Sequence, residues 1–150
     1  MGYRALLMEE YKKWINQAKE DLKTAEILHE NGRYYASVFF CHQSVEKGLK
    51  ALLIKGRKDP GKTHSLSDLL EIIETDLGVQ IPNNVKKAVN QIIPHYTLST
   101  YPDVSDSLPA QIYDAETSER ILRSCKEVLE WLDQNLQWKV RRGWRIWFRK

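Results

Sequence analysis

The chain has 150 residues, 42% hydrophobic and 29% charged, with seven glycines and five prolines. That is enough for one domain with its own core and too little for two ordinary ones, and the balance excludes a disordered polymer. No apolar run approaches the roughly 20 residues that span a bilayer, and the opening MGYRALLMEEYKKW lacks the apolar stretch of a secretory leader, so a cytoplasmic protein is expected.

The net charge of +3 is unevenly spread. The last thirteen residues, WKVRRGWRIWFRK, hold six basic residues and no acid, which leaves 17 basic against 20 acidic residues in the rest. The expected organisation is a mildly acidic domain, residues 1–137, followed by a basic, tryptophan-rich extension, residues 138–150.

Residues 6–31 carry Trp14, Ala18, Leu22, Ala25 and Leu28 at spacings of three and four, the signature of one buried helical face. Asn31-Gly32 supplies a stop, because both residues tolerate the left-handed backbone of a helix end. Residues 33–55 form a second helix, with Tyr34, Val38, Cys41, His42, Val45, Leu49 and Leu52 in its apolar stripe. Tyr35, Phe39 and Leu53 widen that stripe, as suits a central helix with several neighbours. The short connection makes the two helices an antiparallel hairpin.

The segment GRKDPGKT, Gly56–Thr63, is a basic turn. A third helix follows, started by Ser65 with Asp68, lined by Leu66, Leu69, Leu70 and Ile73, and ended by Gly78. Pro82 suits the first turn of a short fourth helix carrying Val85, Ala88, Val89 and Ile92. Pro94 breaks it, and residues 95–113 are expected as a long ordered loop. Asp114 caps a last helix, residues 115–137, with Ala115, Ile121, Leu122, Cys125, Val128, Leu129 and Leu132 at helical spacing. The fold class is all-α, a bundle of four main helices with one additional short helix. Cys41 and Cys125 lie inside apolar helical patterns and are read as reduced, buried residues. No Cys/His spacing points to zinc, and no metal site or cofactor is expected.

Four stretches resemble the HEPN family. Trp14–Leu28, WINQAKEDLKTAEIL, is similar to the family's opening W-x-x-x-A-x-x-D-L-x-x-A. Tyr34–Leu53, YYASVFFCHQSVEKGLKALL, is similar to its Q-x-x-E-K-x-L-K-A-L-L segment. Thr63-His64-Ser65-Leu66 with Leu69 resembles T-H-x-L-x-x-L, and Tyr101-Pro102-Asp103 resembles R-Y-P-D, with Thr100 where the arginine usually stands. The match covers roughly residues 10–135. The resemblance implies an up-and-down four-helix bundle, often a homodimer, and association with a small nucleotidyltransferase protein. It also implies nucleotide binding or, in some branches, metal-independent RNA cleavage.

Gln43, Glu46, Lys47 and Lys50 lie three and four apart on the second helix, so they share a face. Lysines there suit phosphate, and Gln or Glu suits sugar or base; an ordinary solvated charge face is the alternative. Gly56–Thr63 fits the letters of G-x-x-x-x-G-K-[ST], but that phosphate loop needs a preceding strand, and the residues before Gly56 are helical. The nuclease branches carry R-x4-6-H, in which histidine moves a proton and arginine stabilises charge on phosphorus. Arg120 and Arg123 have no histidine after them, and Arg57 with His64 meets the spacing only inside the basic turn, so no catalytic residue is assigned. In the long loop, Tyr96 and Tyr101, beside His95, suit stacking on a base, and Asp103 suits bonding to ribose; the alternative has the tyrosines covering the bundle end. The expected nucleotide-binding set is Gln43, Glu46, Lys47, Lys50, His64, Tyr101 and Asp103. The expected role is a HEPN-like subunit, itself non-catalytic, that binds an ATP-like nucleotide or pairs with a nucleotidyltransferase as a homodimer. The alternatives are an RNase toxin of a toxin–antitoxin pair and an RNA-binding module acting through the aromatic, basic extension.

Overall fold

The fold grows from one hairpin. The computed structural model describes residues 2–142, with side chains described from residue 9 to residue 136. Helices α1 (Tyr3–Glu30) and α2 (Tyr34–Lys55) are joined by the three-residue turn Asn31–Arg33. Gly32 takes a left-handed φ of +75°, and the Arg33 amide reaches back to the Leu28 carbonyl at 2.8 Å, closing the end of α1. Small residues let the two helices approach closely. Ala18 and Ala25 of α1 face Ser37, Cys41, Ser44 and Gly48 of α2, all buried. The Ser37 hydroxyl donates to the Ala25 carbonyl at 2.7 Å, and the Ser44 hydroxyl donates to the Ala18 carbonyl at 2.6 Å. A Cβ on Gly48 would stand 2.6 Å from Leu132 Cδ1, so glycine is what admits the last helix at this level.

Three further elements follow, α3 (Leu66–Asp76), α4 (Asn83–Ile92) and α5 (His95–Thr100), and then α6 (Pro109–Ile112) and α7 (Ala115–Arg142). Ser65 caps α3 by accepting from the Asp68 amide at 3.2 Å, and Asp114 caps α7 by accepting from the Thr117 amide at 2.8 Å. That bond to the Thr117 amide holds the Asp114 carboxyl below its usual range. α7 runs antiparallel to α1, with His29 Nδ1 and the Ser118 hydroxyl meeting at 2.9 Å, and its far end lies beside the end of α2, where Lys55 Nζ donates to the Leu136 carbonyl at 2.6 Å. Burial pushes the Lys55 ammonium down to about 8. α2 is central: it packs on α1, α3, α4, α5, α6 and α7. Its fully buried Leu49, Leu52 and Leu53 each contribute roughly 1.5–3 kcal/mol.

The all-α class stands, with no strand among the described residues. Residues 95–113 are more ordered than a loop: they hold α5 and α6. Pro94 takes helical angles, φ −68° and ψ −10°, so it ends the ladder of α4 while starting α5. α7 continues to Arg142, five residues past the expected limit. Residues 143–150 of the expected extension, with Trp144, Trp147 and Phe148, lie outside the described residues. Cys41 and Cys125 are both buried and free, the Cys125 thiol lying 3.6 Å from the Cys41 carbonyl. The hydrogen bond with Cys125, and then burial, push the Cys41 thiol well up. No helix among the described residues is long and apolar enough to cross a membrane.

Candidate functional site

Residues from α2, from the start of α3 and from the start of α5 converge on Glu46. Its carboxylate is 5% exposed, near the centre of α2. Lys50, one turn on and 4% exposed, donates from Nζ to Glu46 Oε2 at 3.1 Å. His64, just before α3, donates from Nδ1 to the same oxygen at 3.0 Å. The other oxygen, Oε1, faces Nδ1 of His42 one turn back at 3.8 Å, too far for a hydrogen bond, and among the described residues neither atom has another partner. His42 is 2% exposed, and burial lowers its imidazole to about 4, although Glu46 pulls the other way, so it is neutral at pH 7. Tyr96 of α5 stacks on His42, with centroids 4.4 Å apart, and lies over His64 at 6.2 Å. Burial and a hydrogen bond with Tyr101 are among the influences that raise the Tyr96 phenol.

Lys50 links this cluster to a second one on the α1–α2 face. Its ammonium lies 5.8 Å over the Trp14 ring. Trp14, Lys13, Gln17 and Lys47 line an open groove of about 310 Å³. Lys47 is paired with the buried carboxylate of Asp21, which also accepts from Gln17 Nε2 at 2.9 Å.

The structure thus brings Glu46, Lys50 and His64 together and places Tyr101 beside them through Tyr96. Lys47 shares the helix but turns to α1. Gln43 is half-buried on α2, and Asp103 is exposed in the α5–α6 connection. His42, Tyr96, Trp14, Lys13, Gln17 and Asp21 are absent from the sequence-derived set. His42 carried a signal: a histidine in the apolar stripe of α2, four residues before a glutamate, forces that glutamate inward.

The phosphate-loop letters do not build a phosphate loop. The Gly61 amide, which would face phosphate, donates to Asp59 Oδ1 at 2.8 Å, and Lys58 pairs with Asp76 at 2.9 Å. Arg57 takes a left-handed φ of +63° where α2 ends. Thr63 Oγ1 accepts from the Ser65 amide at 3.0 Å, so Thr63, His64 and Ser65 together pin the start of α3 onto α2.

The contacts join residues from separate sequence stretches: Asp21 to Lys47, and Glu46 to His64. A comparison with protein families matches the HEPN domain over residues 11–136. The chain belongs to the HEPN family. Among relatives, MJ1304 of Methanocaldococcus jannaschii, named as a candidate toxin, is 28% identical over 132 residues, covering 79% of this chain and 83% of that protein. The crystal structure of TT1696 from Thermus thermophilus superposes with a TM-score of 0.75 at 25% identity, covering 83% of this chain and 96% of that one. That of ST0689, an archaeal HEPN homologue, gives 0.69 at 26% identity, covering 84% and 97%. Among the described residues, no group of three or more His, Cys, Asp or Glu side chains is arranged to hold a metal ion.

Proposed function

We propose that this HEPN protein is the binding subunit of a toxin–antitoxin type pair: it takes up a nucleotide in the α1–α2 groove and acts together with a small nucleotidyltransferase. The groove carries the reading. An indole offers a stacking surface, Lys13 and Lys47 offer charge to phosphates, and Gln17 offers an amide to base or sugar, all within about 310 Å³. The name of MJ1304 supports the toxin–antitoxin setting. The test is thermal unfolding with millimolar ATP, GTP, CTP and UTP. A ligand at a hundredfold excess over its Kd adds about 2.7 kcal/mol to stability; Trp14→Ala should remove that gain, and Lys47→Met should cut it to about half. No shift with any nucleotide would end the nucleotide part of the proposal and leave partner binding.

One observation favours a second reading, a metal-independent RNase toxin. A buried carboxylate holding His64 Nδ1 at 3.0 Å fixes the ring and leaves Nε2 to move a proton. The His64 side chain is 61% exposed, so a ribose 2′-hydroxyl can reach it. Arg57 lies seven residues earlier, in reach of the R-x4-6-H pattern. RNA cleavage in EDTA, abolished by His64→Ala and reduced by Glu46→Gln, would establish this reading over the first.

A further inference from the structure

Among the described residues, five large hydrophobic side chains are exposed, and four of them, Tyr101, Val104, Leu108 and Ile112, fall within twelve consecutive positions. Asp103, Asp106, Asp114, Glu116 and Glu119 accompany them, all exposed, and no Lys, Arg or His occurs between His95 and Arg120. A cluster of exposed apolar side chains set among polar ones marks an interaction surface.

This surface is held in one shape. Its segment closes on itself: Nδ1 of His95, at the start, meets the hydroxyl of the buried Tyr113, at the end, at 2.8 Å, and α5 packs on α6. In between, the Tyr101 amide donates to the Thr97 carbonyl at 3.0 Å, the Ser107 amide to the Ser105 hydroxyl at 3.0 Å and the Leu108 amide to Gln111 Oε1 at 3.1 Å. Pro102 and Pro109 fix two further backbone angles, and Pro109 is buried. A surface ordered before it binds avoids the entropy that a mobile loop loses on docking.

The charge selects the occupant. Carboxylates repel the phosphates of nucleic acids and of anionic lipids, and they favour a protein partner carrying Lys or Arg. No strand among the described residues offers an edge for backbone pairing, so recognition falls to side chains. An amphipathic helix meets both needs. Its apolar face meets Tyr101, Val104, Leu108 and Ile112, and its basic flanks meet the carboxylates.

We propose that the acidic, apolar surface 101–119 docks a basic amphipathic helix of another protein. It shares no residue with the α1–α2 groove and stands whether or not that groove takes a nucleotide. The probe is a synthetic helix of about 16 residues, leucine on one face and lysine on the other, titrated into the full chain by calorimetry. A peptide of the same composition, with its leucines spread around the helix, is the control. The amphipathic peptide should bind more tightly than the control, and its binding should weaken as salt rises. Leu108→Ser with Ile112→Ser, and separately Asp103→Lys with Asp106→Lys, should each weaken it by at least about tenfold. Glu127→Lys with Glu130→Lys, exposed acids farther along α7, should leave it unchanged. A peptide with glutamate in place of lysine should bind the Asp103→Lys, Asp106→Lys protein and not the unaltered chain, which also shows that the reversed protein is folded. No binding, equal binding of the control peptide, indifference to either pair of substitutions or an equal loss with Glu127→Lys and Glu130→Lys would overturn the proposal. So would sedimentation in which the same substitutions dissociate a dimer of the chain alone, since a second copy then covers the surface.

Discussion

Replacing Glu46 with alanine strips the charge partner from Lys50 and leaves an ammonium that is 4% exposed. Removing one side of a buried ion pair costs about 3–5 kcal/mol, most of it the desolvation of the charge left behind. For a chain of this length each kcal/mol moves the unfolding midpoint by about 2–4 °C, so the expected fall is roughly 6–20 °C. His64→Ala removes a partner of the same carboxylate, but the histidine side chain is 61% exposed, and the expected loss is under about 1 kcal/mol. The double change Glu46→Leu with Lys50→Met removes both buried charges and should recover most of what Glu46→Ala loses. Urea and thermal unfolding followed by far-ultraviolet circular dichroism measure all three. If Glu46→Ala costs no more than His64→Ala, or if the double variant is no better than Glu46→Ala, the carboxylate is not holding a buried cation and the argument fails.

Stability should also fall in acid for a reason particular to His42. Its folded-state imidazole lies at about 4, against 6.5 for an unfolded chain, so between those pH values the unfolded chain binds a proton that the folded chain refuses. Stability is complete above about pH 6.5 and falls by about 3 kcal/mol as pH drops through 4. Burial lowers His95 in the same direction, so the comparison is with His42→Phe, which should lose only its own share of the slope; an unchanged slope refutes the assignment. Ser37→Ala and Ser44→Ala should each cost about 1 kcal/mol and add, since they lie two helical turns apart and each removes one hydrogen bond to α1. Losses near zero in urea unfolding would mean that shape alone holds the hairpin. Lys47→Met should weaken nucleotide binding by about tenfold, read against the variant's own unliganded midpoint, and cost about 1–3 kcal/mol of stability because it leaves the buried Asp21 carboxylate with Gln17 alone; a loss of stability with binding unchanged would make it a structural residue.

The long helices were legible because each buries a full face, and that periodicity is written in the chain. The short ones were not. In α5, HYTLST, only Ser99 is buried, and six residues make less than two turns, too little for a period to register. Pro94 compounds the difficulty, since the missing amide that stops one helix is harmless in the first turn of the next. Within the site, the sequence placed Glu46 and Lys50 together because i and i+4 are neighbours on any helix. His64 stood in the same expected set, but its contact with Glu46, like those of Tyr96 and Asp21, depends on how α3, α5 and α1 cross α2. Lys47 was grouped with Lys50 for a related reason: three residues apart, they share a helix side, yet the crossing of α1 directs one to Asp21 and seats the other over Trp14 and against Glu46.

That division assigns the two lysines different work. Lys50 is sealed among Glu46, Trp14 and the core, so moving it toward a ligand would uncover a buried carboxylate and cost more than one phosphate contact returns. On the proposed reading it is a positioning residue, with its ammonium over the Trp14 ring and bonded to Glu46. Among the described residues Lys47 pairs with Asp21, and Asp21 keeps its bond from Gln17 if Lys47 swings away. An anionic ligand entering the groove can therefore exchange places with Asp21 on Lys47 while Gln17 still donates to the carboxylate. One turn along α2, Glu46 would likewise keep its bond from His64, but Lys50 is itself buried and would have to leave the core to reach a ligand. On the proposed reading the groove, rather than the carboxylate cluster, yields charge to a ligand, and the cluster holds Lys50 against the Trp14 ring.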